Sequence, residues 1–340
     1  MTATTIRTSR FSALALTSLV LGLASLVLLL ISGIPALLAG YYGLRSINFS
    51  DGRLKGRKAA VAGMILGGLG CLVGLVLLGA WGVGLLSEKS HGTECKNNLR
   101  RLGLALNQFH DEHRAFPPGT VPNDELMPEQ RLSWVTPLLP YLEPEALPDS
   151  KASARRVSKE RQLYGLIDFQ QAWDADVNRA ATSIPLSVCV CPSDGNPAAR
   201  SSAWTTYVGI AGVGRDAATI PNFHPPALVA KDPNAGMFGY DRWTTRDDVT
   251  AGLAKRLMVV ETMRDNGPWA QGGPATVRGI DPDDNPPIGY GRPFGGLHLR
   301  GAAALYADGH ADFVRDTIKP AMWQDLARIN LEDRAPHEAP

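Results

Sequence analysis

Two long uncharged runs set the pattern at the front of the chain. Residues 11–43 read FSALALTSLVLGLASLVLLLISGIPALLAGYYG, and residues 59–87 read AAVAGMILGGLGCLVGLVLLGAWGVGLLS. A helix needs about 20 apolar residues to cross the hydrocarbon core of a bilayer, so each run is long enough to span one. A cleaved leader is the competing reading of the first run, but such leaders carry an apolar stretch of only about 7–15 residues. Between the runs lies RSINFSDGRLKGRK, with Arg45, Arg53, Lys55, Arg57 and Lys58. Short loops rich in Lys and Arg stay in the cytoplasm, so the second span is expected to run outward and residues from about 90 onward to lie outside. Arg7 and Arg10 also favour the inside. A single first span would contradict that, whereas a break at Gly33 and Pro35 allows a short return segment. Gly63 and Gly67, then Gly70 and Gly74, are small-xxx-small pairs that let helices approach closely, either the first span or a second copy of the chain.

Beyond residue 90 the periodicity changes. Leu99, Leu102, Leu106 and Phe109 recur at three- and four-residue steps, which predicts one apolar stripe on a helix, stopped by Pro117, Pro118 and Gly119. Ser133–Val135 and Leu138–Leu142 read as a short apolar segment ending at Glu143-Pro144, and 145–161 are polar with mixed charge. Strands are expected at 186–191, 206–210 and 257–260, each an apolar run bounded by turn residues. The stretch 264–296 is rich in Gly, Pro and Asp and reads as a long irregular surface connection. Ala302–Ala307 and His310–Val314 flank Asp308-Gly309, a strong signal for a β-hairpin. A helix followed by strands and long loops is an α+β order.

Charge sharpens this division. The chain as a whole carries a formal net charge of +1, from 34 Lys+Arg against 33 Asp+Glu. Seven of the basic residues and only one acidic residue, Asp51, fall within residues 1–58. The front is therefore basic and the remainder mildly acidic, which argues against a polycationic nucleic-acid surface. An apolar fraction of 44% with 20% charged residues excludes global disorder.

The front, with SLVLGLASLVLLLISGIPALLAGYYGLRSI followed by GRLKGRKAAVAGMILGGLG, resembles the small bacterial two-span membrane module known as domain of unknown function 4190. The body resembles the bacterial family known as domain of unknown function 1559, whose tail carries the prepilin-type H-x9-DG motif. Here that motif is His298, nine residues, then Asp308-Gly309. The matching blocks are CKNNLRRLGLALNQFHDEHRAFPPGT, LSWVTPLLPYLE, LYGLIDFQQAWD, CPSD, TTYVGIAGVG and VVETMRDNGPWAQ, in order from residue 95 to 271. The resemblance implies a pilin-like fold, a long helix packed on a mainly antiparallel sheet with long loops, preceded by transmembrane helices. It implies no established biochemical role. Family members commonly begin with a prepilin leader and a Glu at the fifth position of the apolar run. Residues 59–87 contain no glutamate, and the first to follow is Glu88, which argues against leader cleavage and filament assembly. The expected organisation is a tail at 1–10, a two-span anchor at 11–86, an extracytoplasmic domain at 87–320 and a C-terminal tail at 321–340. The expected setting is a bacterial inner membrane, multi-pass. The expected partners are the lipid bilayer and either envelope proteins or a second copy, with no nucleic acid.

Candidate chemistry is sparse. His298, Asp308 and His310 offer three ligand types for zinc, which wants about four; turn formation by Asp308-Gly309 and loop ordering by His298 is the preferred reading. Asp281, Asp283 and Asp284 supply hard oxygens suited to calcium, against the simpler reading of an acidic surface turn. Of the four cysteines, Cys71 falls in the second apolar run and Cys95, Cys189 and Cys191 fall beyond it. An oxidising exterior allows a disulfide. Cys189 and Cys191 lie two apart on one strand face and would be strained together. Pairing of Cys95 with Cys191, tying helix to strand, is preferred. No G-x-S-x-G elbow, P-loop, H-E-x-x-H or Rossmann fingerprint occurs, so neither enzyme activity nor a cofactor is expected. Trp134, Trp173, Trp204, Trp243 and Trp269 are expected mainly to pack. A rival reading is a binding module for a small molecule or glycan, held by the 264–296 loop and Trp269.

Overall fold

The computed structural model describes residues 10–11, 13–14, 17–18, 20–21, 30–50, 54–142, 158–194, 203–221 and 232–330. Two compact units divide the chain, Met1–Ser87 and Glu88–Pro340. Much of the first apolar run, Arg53 of the basic linker, and most of the polar stretch 145–161 lie outside the described residues.

In the first unit, helix α1 covers Leu30–Asn48 with Pro35 inside it, and helix α2 runs Arg57–His113, so that the division between units falls within α2. One helical segment among the described residues, Arg57–Ala80, is long and apolar enough to cross a membrane. Within it Ile65, Leu72, Leu75 and Val76 are exposed, as an all-apolar helix surface requires when no protein covers it. Gly67 faces α1: a Cβ there would stand 2.9 Å from Ala36 Cβ and 2.9 Å from the Gly33 carbonyl. The close approach predicted for Gly63 and Gly67 is thus spent inside the chain, against α1 and Ser18.

The second unit is α+β. Its sheet has five strands, β1 (Tyr207–Val213), β2 (Leu257–Glu261), β3 (Val277–Ile280), β4 (Gly301–Tyr306) and β5 (Ala311–Arg315), in the order β3-β1-β2-β4-β5. All neighbours are antiparallel except β1 and β3. Every residue of β1 and β2 is buried, because both sheet faces are covered. Alternation assigns the faces. Ala303 and Leu305 of β4 join the core that contains the helix stripe, while Ala302 and Ala304 point to a second core with Phe294 and Trp323.

The predicted stripe on α2 is the hinge of this packing: Leu99, Leu102 and Leu106 are wholly buried and Phe109 nearly so, while Leu104, on the opposite face, is 59% exposed. Gly103 lets the helix reach the β4–β5 hairpin. A Cβ there would meet Leu305 Cδ1 at 2.6 Å and the Gly309 carbonyl at 3.1 Å. The hairpin turns at Asp308-Gly309 as expected, with Gly309 at φ +94° and its N–H donating to the Tyr306 carbonyl at 2.9 Å.

Three local expectations change. Residues 186–191 are no strand, since Ser187–Cys189 form a 3-10 turn. Thr205 and Thr206 hold that segment by side chain as well as backbone, with Thr206 Oγ1 accepting from the Cys191 N–H at 2.7 Å and Thr205 Oγ1 donating to the Cys189 carbonyl at 3.1 Å. The 264–296 stretch is not wholly irregular, because β3 lies within it and pairs in parallel with β1. The C-terminal tail expected from residue 321 is instead part of the domain as far as Asn330. Helix α5 (Pro320–Ala327; α3 is Lys159–Tyr164 and α4 Asp176–Thr182) buries Trp323 and Ala327 against the second core.

Because Leu102 sits in the core and Leu104 does not, Leu102→Ala is expected to cost about 2–5 kcal/mol of unfolding free energy. Leu104→Ala is expected to stay within about 0.5 kcal/mol of the parent. Urea denaturation followed by tryptophan fluorescence checks the contrast.

Candidate functional site

Four buried side chains meet where α2 crosses one end of the sheet. Cys95 comes from α2 and Cys191 follows the Ser187–Cys189 turn; Glu261 closes β2, and His298 lies just before β4. Cys95 and Cys191 are joined by a disulfide, with S–S 2.08 Å and Cα–Cα 5.1 Å, and both are 0% exposed. The bond closes a separation of 96 residues. It joins the two cysteines that the sequence reading preferred to pair, and it leaves Cys189 as a free buried thiol, pushed up to about 12 by burial.

His298 lies against this bond. Its Nε2 is 3.2 Å from Cys95 Sγ, 3.3 Å from Cys191 Sγ and 3.2 Å from Glu261 Oε2. Glu261 Oε2 thus faces the ring as its partner, and the two sulfurs complete the surroundings of Nε2. On the other side of the ring, Nδ1 is 3.4 Å from Ser193 Oγ. Antiparallel pairing explains the meeting: β2 ends at Glu261 at the same edge where β4 begins, and His298 forms a bridge to Gly301. Backbone from both sides fixes the corner, with the Gly295 N–H donating to the Glu261 carbonyl at 2.8 Å.

The alternative in which His298, Asp308 and His310 share a metal does not form, and the preferred turn-and-loop arrangement is what the structure has. His298 and Asp308 stand at opposite ends of β4, whose six residues span roughly 20 Å, so they cannot share one ion. The nine-residue spacing of the motif is the length of that strand with its entry and exit. Asp308 works locally: its Oδ1 accepts from the His310 N–H at 3.0 Å and lies 2.5 Å from His310 Nδ1. The ring of His310 stacks on Tyr306 at 4.3 Å. Nor do Asp281, Asp283 and Asp284 form a ligand cage. Asp281 is bound by Arg215, and its Oδ1 accepts from the Asp283 N–H at 3.1 Å, an ordinary acidic turn. Backbone bonding and the Arg215 guanidinium hold the Asp281 carboxyl below its usual range.

Glu261 was not foreseen. Its signal is a single carboxylate ending the otherwise apolar run Leu257–Val260, which a surface strand would tolerate anywhere but a strand buried on both faces tolerates only with partners.

A second feature lies near the other end of the helix stripe. Phe109, Tyr141, Tyr164, Phe169 and Trp243 line a cleft of about 700 Å³, with Glu112 and Arg161 among its polar groups. Phe109 and Trp243 stack at 6.5 Å, and Tyr141 donates to Glu112 Oε2 at 2.7 Å. Burial, then the Glu112 bond, pushes the Tyr141 hydroxyl up to about 12. Trp269, expected as a binding platform in the rival reading, is instead wholly buried and donates to the Ile184 carbonyl at 2.9 Å. Trp134 is likewise core, bonded to the Thr276 carbonyl at 3.0 Å.

Removing the cross-link is expected to be costly. In the chain-entropy account a loop of about 100 residues loses roughly 4.7 kcal/mol of stabilisation when opened, so the double variant Cys95→Ser/Cys191→Ser should lose about 2–5 kcal/mol. Thermal unfolding with and without reductant measures it: the parent should shift on reduction and the double variant should not.

Neither the curated proteins nor the solved structures contain a match to the chain. The family model described as "Protein of unknown function (DUF1559)" matches residues 92–281, which include both bonded cysteines and Glu261. That match covers more than half of the chain, and the chain therefore belongs to the DUF1559 family.

Proposed function

We propose that the protein is a membrane-anchored component of the bacterial cell envelope, holding a pilin-like domain outside the cytoplasm in a structural or interaction role. The observation that carries this reading is the change of character along α2. Between Arg57 and Ala80 its large apolar side chains are exposed, and from Cys95 to Phe109 a one-sided stripe is buried in the domain core. Lipid is the solvent that suits the first stretch. A second span from residues 11–43, as in the two-span module the front resembles, completes the anchor. The basic linker then faces the cytoplasm and the domain faces out. The resemblance to pilins rests on the helix-on-antiparallel-sheet arrangement and on the H-x9-DG spacing. A disulfide at the heart of the domain accords with an oxidising compartment. We assign no catalytic reaction.

A second reading has its own observation, the aromatic cleft. Stacked rings with a carboxylate and a guanidinium at the rim suit a small molecule or glycan that offers flat apolar faces and hydroxyls. In this reading the platform is Trp243 rather than Trp269.

Protease added to spheroplasts is expected to cut within residues 90–340 and to leave the 44–58 loop intact; the reverse pattern overturns the orientation. Crosslinking in native membranes, followed by purification, should recover envelope assembly components if the structural role is right, and recovery of none counts against it. For the second reading, a thermal-shift screen with oligosaccharides should find ligand-dependent stabilisation, about 2.7 kcal/mol at a hundredfold excess over Kd. Trp243→Ala should abolish that stabilisation without lowering the unliganded melting temperature by more than a few degrees.

A further inference from the structure

The Cys95–Cys191 bond stands in a setting that a disulfide alone does not require. Two sulfurs, an imidazole nitrogen and a carboxylate oxygen converge from four separate segments, all buried, with every ligand atom within 4.8 Å of every other. Their chemistry is that of a zinc site, in which thiolate, imidazole and carboxylate are the ordinary donors and four is the ordinary number. The distances can be tested against a tetrahedron. With Zn–S of about 2.3 Å and Zn–N or Zn–O of about 2.05 Å, the nitrogen–sulfur edges are about 3.5 Å and the nitrogen–oxygen edge about 3.3 Å. His298 Nε2 already lies 3.2 and 3.3 Å from the sulfurs and 3.2 Å from Glu261 Oε2. Three edges are therefore in place within a few tenths of an ångström. Of the three remaining edges, the one between the sulfurs is now occupied by the covalent bond, and the two between Glu261 and the sulfurs lie within 4.8 Å.

We propose that Cys95, Cys191, Glu261 and His298 form a redox-gated zinc site, closed while the disulfide stands and open to one zinc ion when it is reduced. A dithiol reductant gives two electrons and two protons to the S–S bond, which breaks to two thiols, and the dithiol itself becomes a disulfide. Zinc then displaces the two thiol protons to solvent and binds His298 at Nε2, the proton of that nitrogen moving to Nδ1 beside Ser193 Oγ, so that two thiolates, a neutral imidazole and a carboxylate surround the ion. The sulfurs have to part to about 3.8 Å, which side-chain rotation from Cα atoms 5.1 Å apart can supply.

Two further observations suit a metal. A zinc-bound histidine characteristically uses its other ring nitrogen to hold a hydrogen-bonding partner, and His298 Nδ1 has Ser193 Oγ at 3.4 Å. His298 also lines an open cavity of about 600 Å³ with Gly296, Leu297, Arg300 and Asp316, a route from solvent to an otherwise buried group. The motif histidine thereby acquires a chemical reason for its position at the start of β4, distinct from the turn made by Asp308 and Gly309.

The test uses the full chain, oxidised or reduced with a phosphine, titrated with zinc and, for its spectrum, with cobalt. The oxidised chain is expected to take up no metal. The reduced, folded chain should take up one ion, show thiolate-to-cobalt charge-transfer bands, and alkylate at Cys95 and Cys191 more slowly with zinc than without it, while the rates at Cys71 and Cys189 do not change with zinc. Cys71→Ser and Cys189→Ser should bind unchanged. His298→Ala should weaken zinc at least about 100-fold, and Ser193→Ala about tenfold, the usual range for loss of a supporting bond. The proposal is overturned if the folded, reduced chain takes up no zinc, or binds it without protecting Cys95 and Cys191. Equal affinity in His298→Ala overturns it as well. So does a reduced chain that unfolds and does not regain its structure on adding zinc. The cobalt spectrum and alkylation pattern of the unsubstituted chain decide the matter without relying on any variant to fold.

Discussion

The Cys95–Cys191 bond is the constraint on which the arrangement of the domain depends. It fastens the docked helix to the segment that feeds the first strand, 96 residues away, and so brackets everything between them. The apolar stripe of α2 would hold the helix on the sheet by burial alone, but burial is tolerant of sliding along a stripe. A covalent tether at Cys95 fixes the register, and with it the position of Gly103 over the β4–β5 hairpin, where an added Cβ would stand 2.6 Å from Leu305 Cδ1 and force that side chain to shift. Leu99, Leu102, Leu106 and Phe109 then fall on the core in order.

The same tether explains how two ionisable groups can be kept inside. A carboxylate or imidazole moved from water to a protein interior is tolerated only with partners. Glu261 and His298 are each other's partners at 3.2 Å, and Ser193 attends the far side of the ring. The disulfide does not hydrogen-bond strongly, so its contribution to the pair is spatial: it shapes the floor on which the imidazole rests. A buried pair of this kind is weak as a source of stability.

What could be read from the sequence divides along physical lines. The stripe of α2 and the Asp308-Gly309 hairpin were legible because each is a local rule, a 3.6-residue period in one case and a two-residue turn in the other. The strands at 207–213 and 257–261 were legible as apolar runs between turn residues. Residues 186–191 misled for the same reason, since their apolar content reflects burial beneath Thr205 and Thr206 rather than membership of the sheet. Strand Val277–Ile280 was hidden because its pairing with β1 is parallel and shifted by an irregularity at Ile210/Gly212, and no local pattern announces a partner about 70 positions away. The meeting of Glu261 with His298 and the cysteines belongs to this last kind. Each residue was visible, but the antiparallel neighbours that bring them together are a property of the whole sheet. His298 and Asp308 keep the separate local roles that the turn signal implies, because a whole strand lies between them.

The two features of the domain that carry chemistry sit at opposite ends of one stretch of helix. Cys95 marks one end and Phe109, at the aromatic cleft, the other; fourteen residues of helix separate them by about 21 Å. Nothing in the side-chain contacts described above runs from one to the other except the stripe itself, so any influence between them has to pass through the seating of α2 on the sheet. That seating is tight in the middle, where Gly103 meets the hairpin, and again at the cleft end, where Asn107 and Asp111 are bound by Arg246. A helix pinned at its midpoint and at the cleft end transmits a change at Cys95 poorly to the cleft. Opening the cross-link therefore acts chiefly on the corner where Glu261 and His298 lie, and the cleft keeps its shape from Phe109, Tyr141 and Trp243, which pack on one another. The fold in this way keeps a redox-sensitive corner and a rigid aromatic surface on a single element without making either hostage to the other.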